Sequence, residues 1–105
     1  MSDILTKLNR ALKDRKNKDP EESYVASLYK KGLNHTCNKI EEEANELVNA
    51  LENENKERVI SEAADLWFHS LVALSMKNLS SDDILNELEK RFGISGHEEK
   101  NNRNA

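Results

Sequence analysis

The sequence predicts an all-α domain of about five helices, and three observations carry that prediction. Apolar residues recur at helical spacing in five separate segments. No segment alternates with period two for long enough to form a strand. Three Gly and one Pro in 105 residues are too few for the turns of an all-β fold.

The first helix is predicted from Asp3 to Arg15, with Ile4, Leu5, Leu8, Ala11 and Leu12 on one face. Asp14 to Asp19 is polar and reads as a loop. The second helix is predicted to begin at Asp19 and Pro20. Asp19 is a good N-cap, Pro20 suits the first helical position, and Glu22 stands three after the cap. Val25, Leu28 and Tyr29 form its apolar face, and Gly32 is a natural stop. The third helix is predicted from Asn34 or His35 to Glu52. Its apolar residues Cys37, Ile40, Ala44, Leu47, Val48 and Leu51 fall within an arc of about 100°. Cys37 therefore reads as an inert core residue.

The fourth helix is predicted from Lys56 to Met76. It is apolar round nearly its whole circumference, which predicts a central helix buried on all sides. Trp67 on it reads as core or subunit interface. The fifth is predicted from Ser81 to Phe92, with Ser80 as cap, Asp83 closing a capping box and Gly93 as stop. Residues 1–94 form one domain, and 95–105, polar and unpatterned, read as a disordered tail.

Composition narrows the class. Charged residues make up 34% and hydrophobic ones 36%. A core this thin gains from burial shared with a second copy, so a homodimer is expected. No apolar run spans a membrane, and the N-terminus has no secretory signal. One cysteine, Cys37, allows no internal disulfide, which suits a reducing cytoplasm. Residues 1–18 carry six basic and two acidic side chains, whereas residues 41–65 carry nine acidic and two basic ones. So dense an acidic block argues against a nucleic-acid surface.

The informative residues lie on the third and fourth helices. Glu43 projects about 300° from Ile40 and Glu46 about 240°, beside the apolar stripe. On the fourth helix Glu62 projects about 300° from Val59, His69 about 280° and Asp65 about 240°. Carboxylates on an otherwise greasy helix are costly: two unit charges about 5 Å apart repel by about 3 kcal/mol at an effective dielectric of 20. The short break at Asn53 to Asn55 makes the helices antiparallel neighbours, so four carboxylates converge across one groove. An all-oxygen set suits a hard divalent cation, above all Mg²⁺. The alternatives are a solvated helix face and a structural ion pair of Asp65 with Lys39 or Arg58.

The order Glu42-Glu43-x-x-Glu46, then fifteen residues, then Glu62-x-x-Asp65 resembles the metal-binding signature of the all-α, MazG-like nucleotide pyrophosphohydrolases. Ser23-Tyr24, Leu28, Gly32-Leu33, Lys39-Ile40, Glu62-Ala63-Ala64-Asp65-Leu66 and His69 resemble the phosphoribosyl-ATP pyrophosphatase branch, as does Arg15 before Asp19-Pro20-Glu21. The likeness covers about residues 4–92. Val25 stands where Thr is common, and Glu41 where a small residue is usual.

The resemblance implies Mg²⁺-dependent hydrolysis of 1-(5-phosphoribosyl)-ATP to 1-(5-phosphoribosyl)-AMP and pyrophosphate, the second step of histidine biosynthesis. It implies Glu43, Glu46, Glu62 and Asp65 as Mg²⁺ ligands. Glu42 becomes a ligand through water or the base for the attacking water. Lys39, Arg15, Ser23, Tyr24, Lys30 and Lys31 become substrate-binding candidates, and His69 a core or supporting residue rather than a ligand. Two other readings are a MazG-like enzyme acting on other nucleoside triphosphates and a non-catalytic helical dimer or adaptor.

Overall fold

The computed structural model describes residues 3–92, and all their regular structure is helical. The five helices are α1 (Asp3–Arg15), α2 (Tyr24–Lys31), α3 (Leu33–Asn53), α4 (Lys56–Met76) and α5 (Ser81–Phe92). Gly93 and the expected tail at 95–105 lie outside the described residues. No helix among those described is long and apolar enough to cross a membrane.

Local chemistry accounts for most boundaries. Asn55 caps α4 by accepting from the Arg58 amide at 3.0 Å. At α5 the Ser80 hydroxyl accepts from the Asp82 amide, while the Ser80 amide donates to Asp83 at 2.9 Å. Helix α4 ends in a Schellman turn. Leu79 N–H donates to the Leu74 carbonyl and Asn78 N–H to that of Ser75, with Asn78 left-handed at φ 61°. Asparagine tolerates that conformation better than most residues.

Two boundaries differ from the sequence expectation. Asp19 does not cap α2. It closes a separate turn, taking the amides of Glu22 and Ser23 on its carbonyl and that of Glu21 on its carboxylate. Extended backbone at Ser23 (φ −131°, ψ 122°) then restarts the chain, and the Ser23 hydroxyl accepts from the Ala26 amide. Ser23 is the true cap because its backbone is already non-helical. At the other end Gly32 stops α2 as expected, but α3 begins directly after it at Leu33 rather than at Asn34 or His35. The φ of 97° and ψ of 176° at Gly32 fall where essentially only glycine is found.

The core gathers Leu12, Val25, Leu28, Leu71 and Val72, with Leu5, Leu8, Tyr29, Phe68, Leu74 and Met76 against it. Helices α3 and α4 make the most extensive pairing. The residues α3 buries are Thr36, Glu43 and Ala50, seven apart, not the apolar arc expected. That buried stripe is centred about 90° round from the middle of the arc. Cys37 is exposed rather than core. Helix α4 is likewise not buried on all sides: in the single chain Ile60 and Trp67 are 68% and 64% exposed. Val48 and Leu51 of α3 are exposed with them. Periodicity measures total apolar area and does not say how much of it a single chain covers by itself.

Leu28, fully buried where α2 meets the core, is the sharpest probe of this packing. Leu28→Ala should lower stability by about 2–5 kcal/mol, read as an earlier denaturation midpoint.

Candidate active site

A cleft of about 260 Å³ is lined by Tyr24, Lys39, Glu42, Glu43, Glu46, Asp65 and His69. It lies along the α3–α4 seam, with Tyr24 contributed from the first turn of α2. One groove thus collects four of the five sequence-predicted carboxylates. The fifth, Glu62, adjoins it, close enough to Glu46 to raise that carboxyl.

Burial separates these groups. Glu43 is 8% exposed and Glu62 4%, whereas Glu42, Glu46 and Asp65 are exposed at the rim. Glu62 is held by Arg58 one turn earlier, at 2.5 Å, and Arg58 also reaches Glu54 at 3.5 Å. The ion pair on α4 therefore involves Glu62, not Asp65, which forms no salt bridge among the described residues.

His69 is oriented from both sides. The Tyr24 hydroxyl meets Nε2 at 2.7 Å, and Nδ1 meets the Asp65 carbonyl at 3.0 Å. A carbonyl can only accept, so Nδ1 carries a proton; in the neutral ring Nε2 then accepts from the phenol. The same Nδ1 also lies against Glu43 Oε1, a contact that is an ion pair only when the ring is protonated. With both ring nitrogens engaged, His69 is a support for the cleft. Phe68 packs edge-on against it, with ring centroids 5.2 Å apart.

The electrostatics are those of crowded acid. Burial pushes the Glu43 carboxyl up, His69 opposes this, and Asp65 and Glu62 add to it. Glu46 is also raised, first by the hydrogen bond with Glu62 and then by its charge. Desolvation raises the Tyr24 phenol, Lys39 opposes this, and the surrounding carboxylates add to it, so Tyr24 remains a donor.

Two buried oxygens, Glu43 Oε1 and Glu62 Oε2, accept no hydrogen bond. Buried carboxylate oxygens without a hydrogen-bond donor, on facing helices, suit a cation, and the all-oxygen donor set suits a hard divalent one. Glu43, Glu46, Glu62 and Asp65 are the residues that could hold it. Among the described residues no three His, Cys, Asp or Glu side chains are already drawn together as a finished cage. Glu62 in particular is shared with Arg58.

The remaining candidates divide. Arg15, Ser23 and Tyr24 line a neighbouring cavity of about 550 Å³ together with Lys18, Glu22 and Phe68. Lys30 lines a third cavity with Lys16, Lys18 and Tyr29, away from the carboxylates. Lys31 is exposed and lines none of these. Sequence reasoning misses the Tyr24–His69 bond, which joins residues 45 apart, and the parts of Lys18, Glu22 and Phe68. No spacing rule reaches across elements in that way.

Residues 5–92 match the family described as phosphoribosyl-ATP pyrophosphohydrolase. The chain belongs to that family. It is 54% identical to the phosphoribosyl-ATP pyrophosphatase of Hydrogenovibrio crunogenus, over 97% of this chain and 94% of that one. It is 46% identical to those of Vesicomyosocius okutanii and Ruthia magnifica, each over 99% of both chains. The family match covers all of α2, α3 and α4 and α1 from Leu5 on, the helices that build the cleft and its neighbour.

The raised carboxyls give a signed expectation. A carboxyl raised on folding binds its proton more tightly in the fold than in the unfolded chain. It therefore favours the metal-free fold at acid pH, and that contribution is lost as pH rises through the raised value. Glu46→Gln removes the charge conflict with Glu62 and keeps hydrogen-bonding capacity. In chelator the variant should melt above wild type at pH 8, and the difference should close at pH 4.

Proposed function

We propose that this family member hydrolyses the α–β phosphoanhydride of 1-(5-phosphoribosyl)-ATP, releasing pyrophosphate and 1-(5-phosphoribosyl)-AMP, the second step of histidine biosynthesis. The observation that carries the reading is a cleft lined by Glu42, Glu43, Glu46 and Asp65 beside the buried Glu62, in which the buried oxygens Glu43 Oε1 and Glu62 Oε2 accept no hydrogen bond. Its setting is the reducing cytoplasm, in keeping with the lone Cys37.

Glu43, Glu46, Glu62 and Asp65 hold Mg²⁺. When bound, the ion neutralises the triphosphate, activates water and stabilises the leaving pyrophosphate. Lys39 extends from the same cleft and pairs with phosphate oxygens. Glu42, exposed at the rim, accepts the proton of the attacking water as that oxygen bonds to phosphorus and the bridging P–O bond breaks. Tyr24 and His69 fix the wall against which the nucleotide lies.

The protein works as a homodimer. Val48, Leu51, Ile60 and Trp67 are exposed apolar side chains on the two helices that build the cleft. A soluble chain rarely leaves so much apolar surface in water. Trp67→Glu should convert a dimer to monomer in sedimentation experiments at micromolar concentration. A monomeric wild type would refute this assembly.

Phosphorus NMR with Mg²⁺ tests the reaction, using phosphoribosyl-ATP beside ATP and dUTP. Pyrophosphate should come from phosphoribosyl-ATP. Release from the simple triphosphates instead would move the enzyme to the house-cleaning branch, and silence on all three would favour an adaptor. Asp65→Ala should lower turnover by at least about a hundredfold with the fold retained, because it removes an exposed carboxylate rather than packing.

A further inference from the structure

The cavity of about 550 Å³ shares Tyr24 with the acidic cleft, yet its charge is of the opposite kind. Arg15 ends α1 and Lys18 lies in the loop after it, and both line the cavity beside the single carboxylate of Glu22. Tyr24 forms the wall common to both spaces, and Phe68 stacks against it with ring centroids 6.2 Å apart and planes 21° off parallel.

Resting on the proposed function, we propose that this cavity receives the phosphoribosyl end of the substrate, with Lys18 as a specificity-determining residue. The substrate has anions at both ends: a triphosphate, and a phosphate on the second ribose beyond the purine. The carboxylate cleft accepts the triphosphate only with a cation between them. It repels the second phosphate, which needs a cationic receptor of its own at some remove.

Arg15 and Lys18 are that receptor, a planar fork and a point charge suited to a phosphate dianion. Glu22 accepts from the ribose hydroxyls, which a neutral or basic lining could not do as well. The Tyr24–Phe68 wall offers the purine an aromatic face between the two ends. A simple nucleoside triphosphate fills the cleft and leaves the cavity empty, so the preference for the natural substrate originates here.

Lys18 is exposed, so Lys18→Gln should fold as wild type does. With phosphoribosyl-ATP and Mg²⁺ its KM should rise about tenfold or more while kcat changes little, and Lys18→Arg should restore most of the loss. Ribose 5-phosphate without divalent cation is an independent probe. In amide NMR it should shift residues around Arg15, Ser23 and Tyr24 in wild type, and Lys18→Gln should abolish the shifts.

An unchanged KM, or a fall in kcat with KM constant, would overturn the assignment. So would ribose 5-phosphate shifts that avoid this cavity or survive Lys18→Gln. A wild type that binds ribose 5-phosphate here but releases no pyrophosphate from phosphoribosyl-ATP would sink the proposed function and leave the phosphate subsite standing.

Discussion

The structure turns on two carboxylates, Glu43 and Glu62, buried where α3 meets α4. An apolar pair at those positions would pack more cheaply, because each buried charge gives up its hydration. The chain tolerates them through partial compensation: Arg58 on Glu62, and His69 beside Glu43. It also keeps its well-packed core elsewhere, among Leu12, Val25, Leu28, Leu71 and Val72. Stability and reactivity are thus divided along the molecule, with an apolar cluster linking α1, α2 and α4 and a polar seam between α3 and α4.

The two regions meet through α2. Val25 and Leu28 anchor that helix in the core, while Tyr24, its first residue, reaches across to His69. The Ser23 cap sets where α2 begins and so which residue stands at its lip. A local hydrogen bond to Ala26 thereby governs a contact made 45 residues along the chain. His69 passes the constraint on, because its ring is fixed between the Tyr24 hydroxyl and the Asp65 carbonyl and packs beside Glu43.

Much of this is legible in the residues. The bounds of α1, α4 and α5 follow from periodicity and caps, and the acidic strip on α4 follows from its clash with the surrounding apolar residues. Rotation is what periodicity gets wrong. The apolar arc of α3 is real, but the single chain turns Thr36, Glu43 and Ala50 inward and leaves Cys37, Val48 and Leu51 outside. One helix cannot say which of its faces meets its own chain and which meets another. The start of α2 misleads for a related reason. Asp19, Pro20 and Glu22 form a sound cap signature, but it is spent on an isolated turn, and only the extended backbone at Ser23 reveals this. Contacts such as Tyr24 with His69 are set by the tertiary path, which no local spacing encodes.

Gly32 has a consequence for how the chain can change in length. Helix α2 ends at Lys31 and α3 begins at Leu33, so one residue is the whole joint. Each residue added to a helix turns everything after it by about 100°. An insertion in the joint that α3 absorbed would swing Glu43 out of the seam and put Glu42 in its place, with His35 and Asn49 replacing Thr36 and Ala50. The passage from α2 to α3 therefore admits neither gain nor loss without dismantling the cleft.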